Sequence, residues 1–123
     1  MKVINRIKDS KDFASTIKHG KTVKNQSFVL HFNQTELEHT RIGISVSKKI
    51  GNAVTRNRVK RQLRAMCDSL INYSLNKFDI VLIARQDFLN KNFEENKSLL
   101  CDLLLNQVGI KKWRKLINLL SVD

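Results

Sequence analysis

Between Ser45 and Arg64 the chain reads SVSKKIGNAVTRNRVKRQLR, which sets Lys48, Lys49, Arg56, Arg58, Lys60, Arg61 and Arg64 close together. No Asp or Glu occurs between Glu38 and Asp68, so no acid near in sequence neutralises these cations. Arginine is the informative choice. Its planar guanidinium grips phosphate oxygens through paired hydrogen bonds and stacks on bases, which a lysine ammonium cannot do. Asn57, set among the arginines, can hydrogen-bond a sugar, a phosphate or a base edge. The turn Lys48-Lys49-Ile50-Gly51-Asn52 brings free backbone N–H groups and a helix N-terminus to the same place, a natural phosphate cradle. A merely solvated face usually mixes both signs of charge, and this one does not. The residue types point to a polyanion, with structured RNA first among the candidates.

Cleaving a phosphodiester with protein groups usually takes clustered carboxylates for two metals, or a histidine acid–base pair. The 11 Asp and Glu are dispersed and none lies in the basic stretch. Asp9 and Asp12 are close in sequence, but acids early in a helix suit its dipole without doing chemistry. His19, His31 and His39 lack ligand spacing, and Cys67 and Cys101 are too far apart for a metal or redox motif. Both cysteines sit in apolar helical patterns and read as reduced core thiols. The expectation is a binding protein with no catalytic residue and no metal site of its own.

The composition agrees with that. With 23 Lys and Arg against 11 Asp and Glu, the 123-residue chain carries a formal net charge of +12, an excess that opposes compaction and calls for an anionic partner. Forty-one per cent hydrophobic residues is a globular composition, and the length suits a single domain over residues 1–123. No apolar run reaches the roughly 20 residues that span a bilayer, and MKVINRIKDS lacks the apolar region of a signal peptide. A cytoplasmic protein with no membrane partner is expected.

The elements that must position the basic stretch are readable from periodicity. Asn52 caps a helix running to about Asn72, on which Val59, Leu63, Met66 and Leu70 cluster within about 60° at about 100° per residue. The cations fall in a separate arc. Asp9 or Ser10 caps an earlier helix that Gly20 closes through left-handed backbone angles, with Phe13 and Ile17 on one face. That pair reads equally as core and as an edge open to a ligand beside a sheet. From Ser27 to Asn33, Phe28, Leu30 and Phe32 alternate with Val29, His31 and Asn33; from Arg41 to Ser47, Ile42, Ile44 and Val46 alternate with Gly43, Ser45 and Ser47. Such strands form a sheet covered on one side. Thr22–Lys24 adds a short strand, FDIVLIA at Phe78–Ala84 a strand covered on both faces, and Phe93–Val108 a helix ended by Gly109. Residues 110–121 read as a basic amphipathic helix, of a kind that can lie on a membrane but more often docks on its own domain. The order is α-β-β-β-α-β-α: an α+β sandwich, a sheet backed by helices.

SVSKKIGNAVTRNRVKR, at Ser45 to Arg61, resembles the signature of the bacterial ribonuclease P protein subunit, whose hallmark is the triplet Arg56, Asn57 and Arg58. NRIKDSKDF at Asn5 to Phe13 and DIVLIAR at Asp79 to Arg85 agree in order and spacing, so the resemblance covers residues 5 to 88. It implies a ribosomal protein S5 domain 2-like fold with a left-handed βαβ crossover, where right-handed ones prevail in about 98% of cases. It implies as partners a catalytic RNA subunit, ribonuclease P RNA, and precursor tRNA, with no obligate protein partner. The holoenzyme removes the 5′ leader by Mg²⁺-dependent hydrolysis, Mg²⁺ being held mainly by RNA and substrate phosphates. By position, Lys48, Lys49, Asn52, Arg56, Asn57, Arg58, Lys60, Arg61 and Arg64 would face the RNA subunit. Phe13, Ile17, Val29, His31 and Ser45 would line the cleft for the single-stranded leader. The family often has an aromatic residue where Ile17 and His31 stand, which puts more of any base stacking on Phe13. The tail from Ile110 has no counterpart in the resemblance.

Other readings of the same residues are a ribosomal-type RNA-binding domain, a helix-turn-helix DNA reader and a protein-only ribonuclease. Strands rather than a short helix flank the basic helix, which disfavours the second. The absent carboxylate cluster disfavours the third.

Overall fold

The computed structural model describes residues 1–110. Its regular elements are α1 (Ser10–His19), β1 (Lys21–Lys24), β2 (Phe28–Gln34), β3 (Arg41–Ser45), α2 (Ala53–Leu70), β4 (Phe78–Ala84) and α3 (Phe93–Asp102). Short 3₁₀ turns occupy Val3–Asn5 and Gln86–Asn90, and Leu103–Val108 continues α3 with π geometry. The sequence of helices and strands is the expected one. Gly109 ends the last turn at φ 85°, the left-handed region that glycine reaches without a Cβ penalty. The basic amphipathic helix expected over 110–121 lies outside the described residues beyond Ile110.

Among the described residues the sheet has four strands in the order β1-β2-β4-β3. β1 and β2 pair antiparallel, as do β2 and β4, while β3 and β4 are parallel. The crossover for which the resemblance implies a left hand is therefore β3–α2–β4. The outer edge of β3 is closed by the N-terminal segment, where Ile7 N–H donates to Ile42 O at 3.0 Å and Arg6 bridges Ile42. This closure protects an edge that would otherwise expose unpaired backbone groups.

Alternation decides which face each strand residue takes. Phe28, Leu30 and Phe32 of β2, Ile42 of β3 and Ile80 and Leu82 of β4 are buried in one core with Val59, Leu63, Met66, Cys67 and Leu70 of α2 and Leu100, Leu103 and Leu104 behind them. Leu63 and Met66 are fully buried. The stripe read from the 3.6-residue period is thus the face by which α2 is fastened.

The other face is not bare, because α1 crosses it. The Phe13 ring lies over Gly43 so closely that a Cβ there would come within 2.7 Å of it. Arg41 clamps the same helix: Nε and Nη2 donate to the Asp79 carboxylate at 2.9 and 2.7 Å, and Nη1 donates to Asp12 at 3.2 Å. Arg41 and Asp79 are register partners across β3 and β4. This paired geometry holds the guanidinium still further above its already high ordinary pKa, chiefly through the hydrogen bonds to Asp79.

Gly20 does close α1, but not through left-handed angles: its φ is −78° and ψ 164°, an extended conformation. Glycine is needed there for space. A Cβ would stand 2.4 Å from Thr16 O and 2.9 Å from Phe32 O, because the chain turns from α1 into β1 directly against the neighbouring strand.

Candidate nucleic-acid interface

α2 begins as its sequence directs. Asn52 is the N-cap, with φ −71° and ψ 176°, and its side-chain oxygen accepts from Thr55 N–H at 2.9 Å. That bond satisfies one of the orphan amide groups of the first turn and is worth about 1 kcal/mol. The capping oxygen is therefore occupied, leaving the Asn52 carboxamide N–H₂ to face solvent. Lys48 and Lys49 are exposed in the turn just before it.

Along the helix, Asn57, Arg58 and Arg61 are exposed, while Arg56, Lys60 and Arg64 are half-buried. Among the described residues none of Lys48, Lys49, Arg56, Arg58, Lys60, Arg61 and Arg64 takes part in an ion pair. The acid that ends this side of the helix, Asp68, is already engaged. It accepts from the Met1 ammonium at 2.6 Å and from the Tyr73 hydroxyl at 2.7 Å. A continuous cationic surface with no internal counter-charge can exchange its counterions for phosphates.

The second candidate region is the part of the sheet that α1 leaves uncovered. Val29 and Ile83 are register partners, as are Ser45 and Ile83, so the three lie in one row across β2, β4 and β3. All are half-buried. One row nearer α1 come Thr22, His31, Val81 and Gly43. Val81 is wholly buried on this second face, so β4 is covered on both sides here, whereas Ile83 emerges from beneath the helix. Phe13 is half-buried against Gly43, and Ile17, one turn along α1, is 38% exposed. Of the residues expected in the cleft, Val29 and Ser45 are thus brought into one row, His31 into the adjoining one, and Phe13 to the rim. Ile17 stands further out.

Ile83 belongs to the same row and the sequence reading passed over it. FDIVLIA is apolar almost throughout, so its period-2 signal is weak. Asp79 supplied the missing phase, since Asp79, Val81 and Ile83 must share a face.

Among the described residues no group of three or more His, Cys, Asp or Glu side chains is placed to hold a metal ion. The carboxylates on the open face, Asp12 and Asp79, are both committed to Arg41. This donor set does not fit Mg²⁺, which takes unencumbered carboxylate or phosphate oxygens in octahedral geometry.

The profile of the Ribonuclease P family matches residues 1–107. The chain belongs to the ribonuclease P protein component family. The Streptococcus agalactiae ribonuclease P protein component is 43% identical over 94 residues, 76% of this chain and 85% of that protein. The structure of the Staphylococcus aureus RNase P protein superposes with a TM-score of 0.76 at 34% identity, covering 87% of this chain and 98% of the other. The Thermotoga maritima RNase P protein gives 0.70 at 32% identity, covering 80% and 94%. Family membership gives the chain a part in tRNA processing, within a ribonuclease that is a complex of protein and RNA. No helix among the described residues is long and apolar enough to cross a membrane.

Proposed function

We propose that this chain is the protein subunit of a ribonucleoprotein in which the RNA subunit cuts the 5′ leader from precursor tRNA and the protein binds both RNAs. On this reading the face carrying Lys48, Lys49, Asn52, Arg56, Asn57, Arg58, Lys60, Arg61 and Arg64 docks the catalytic RNA. The uncovered sheet row, with Phe13 at its rim and Ile17 further out, receives the leader. The carrying observation is that the cations of α2 have no ion-pair partner among the described residues, in a chain matched to the family over residues 1–107.

The two surfaces suit different work. An arginine face binds a folded RNA through its phosphates, with an affinity that falls steeply with salt. A shallow apolar row rimmed by an aromatic ring suits a single strand whose bases are free to stack. Magnesium belongs with the RNA and the substrate phosphates on this reading, since Asp12 and Asp79, the carboxylates of the open face, are held by Arg41. The protein contributes by gathering phosphates at a fixed distance from the leader, which favours metal binding at the RNA. The cytoplasm, where precursor tRNA is processed, is the compartment that goes with this role.

Reconstitution tests the reading. The purified chain alone leaves precursor tRNA intact, and adding the cognate RNA subunit restores 5′ cleavage at low Mg²⁺. Cleavage by the protein without any RNA subunit would sink it.

A further inference from the structure

The cationic row of α2 leads somewhere. Residues four apart stand one above the other on a helix, so Arg56, Lys60 and Arg64 continue to Asp68, about 6 Å further along the axis. Asp68 is part of the wall of a cavity of about 460 Å³, at the end of α2 away from the Asn52 cap, with Lys2, Ile4, His39, Asn72 and Tyr73 among its other walls. Three segments distant in sequence are tied together to form it. Asn5 Nδ2 donates to Thr40 O at 3.0 Å, Thr40 N–H donates to Tyr73 O at 2.9 Å, and His39 Nε2 donates to Ile4 O at 3.0 Å. The hollow is therefore preformed.

Its polar groups are only half used. Asn72 Oδ1 accepts from the N–H groups of Ser74 and Leu75 at 3.1 and 3.2 Å, which fixes the carboxamide and leaves its N–H₂ without a protein partner among the described residues. His39 Nε2 faces a carbonyl and so carries the hydrogen, which makes Nδ1 of the neutral ring a bare acceptor. One donor and one acceptor are what the Watson–Crick edge of an unpaired base offers in return. The apolar groups suit the faces of a base. The Tyr73 hydroxyl donates to Asp68 at 2.7 Å, which anchors the ring, and Ile4 is 62% exposed, an apolar side chain that the core does not use. Lys2 is exposed and takes part in no ion pair among the described residues. Asp68, already paired with an ammonium, does not turn a phosphate away.

We infer that this cavity receives an unpaired nucleobase of the RNA docked along α2, held between Ile4 and Tyr73, with its polar edge on the Asn72 N–H₂ and His39 Nδ1 and its phosphate on Lys2. This rests on α2 docking the RNA subunit, and it adds what the cations cannot supply. Phosphate contacts set affinity and register but carry no information about the base, whereas a pocket that takes one unstacked base selects a place in the RNA where a base is free to enter.

The test uses the holoenzyme reconstituted from the full chain and its RNA subunit, with base-specific chemical probing of the RNA at saturating protein. The native protein protects an unpaired base of the RNA subunit. Asn72→Asp keeps the oxygen that holds the Ser74 turn and removes the donor; Ile4→Ser removes an exposed apolar wall. Each restores the reactivity of that base and weakens RNA binding about tenfold, the loss of one stacked base, with the thermal midpoint unchanged. In Ile4→Ser the slope of log affinity against log salt also stays as it was, because no phosphate contact is lost. Replacing Arg58 and Arg61 by Ala does the opposite: it lowers the salt slope and leaves the base protected at saturation. A native pattern of protection in both cavity variants, or no unpaired base protected by the native protein, would overturn the base pocket and leave docking by α2 standing. An unchanged salt slope in the Arg58 and Arg61 variant would overturn the docking itself.

Discussion

Arg41 and the arginines of α2 are one residue type put to two uses. Arg41 is 18% exposed and its fork is filled by Asp79 and Asp12, so it fastens α1 to the sheet and has little left for a ligand. Arg58 and Arg61 are exposed and lack ion-pair partners among the described residues, so removing them takes nothing from the fold. Counting cations would treat all three alike. Whether a carboxylate already holds the guanidinium separates a structural arginine from one available to RNA.

The largest expected effect tests the available side. Replacing Arg58 and Arg61 together by Ala weakens binding to the RNA subunit by a factor on the order of 10–100 at moderate salt. It also reduces the slope of log affinity against log salt by roughly 0.7–0.9 for each phosphate that the protein no longer neutralises. The thermal midpoint stays where it is. An unchanged salt slope would show that the face is only solvated.

Arg41→Ala should do the reverse. It strands the Asp79 carboxylate, releases Asp12 of α1 and costs about 2–3 kcal/mol in a denaturant titration, with the salt slope for the RNA subunit preserved. A loss of RNA affinity without a loss of stability would break the comparison. Phe13→Ala comes next, weakening leader binding by about 1–3 kcal/mol if a base stacks on the ring. Loss of folding with no selective effect on the leader would return Phe13 to the core.

Cys67 gives the smallest and most local readout. It lies on the buried stripe of α2, and burial, with Asp68 beside it, pushes its thiol up to about 12. A thiol whose pKa is raised by folding adds stability that is complete below its unfolded value of about 9 and is lost as pH climbs towards the folded value. Alkylation at pH 8 should therefore reach Cys101, which is half-exposed, and spare Cys67 in the native protein. Cys67 stays protected in the Arg58 and Arg61 variant and labels faster in Arg41→Ala, reporting which arginines hold the fold.

Much of this was legible because it is local. The Asn52 cap, the Val59–Leu70 stripe, the alternation of β2 and β3 and the Gly109 stop each depend on residues within a turn or a strand of one another. The short strand at Thr22–Lys24 was also readable, and it begins one residue earlier, at Lys21. What escaped was pairing between distant segments. Arg41, Asp79 and Asp12 have no motif linking them, since register alone brings them together. Ile83 could not be assigned to the open row before β4 was known to lie between β2 and β3. Gly20 was read through its backbone freedom, when the demand on it comes from Phe32 of a neighbouring strand. The roles of the interface residues rest on the family resemblance and on charge, and the binding experiments above are their test.

The strand order carries a consequence for how the protein comes to be made. β4 is the last strand among the described residues, yet it is the one that pairs with both β2 and β3, which do not pair with each other. A nascent chain that ends before Phe78 has the segment of α2, complete with its cations, but only the β1–β2 hairpin of the sheet. The apolar stripe of α2 then has no finished surface to lie on, and it waits for a non-local pairing that is slow to form. The cationic face is thus synthesised before the fold that will hold it. Chains interrupted in the loop before β4 are expected to be lost to aggregation or proteolysis rather than to persist as smaller RNA binders.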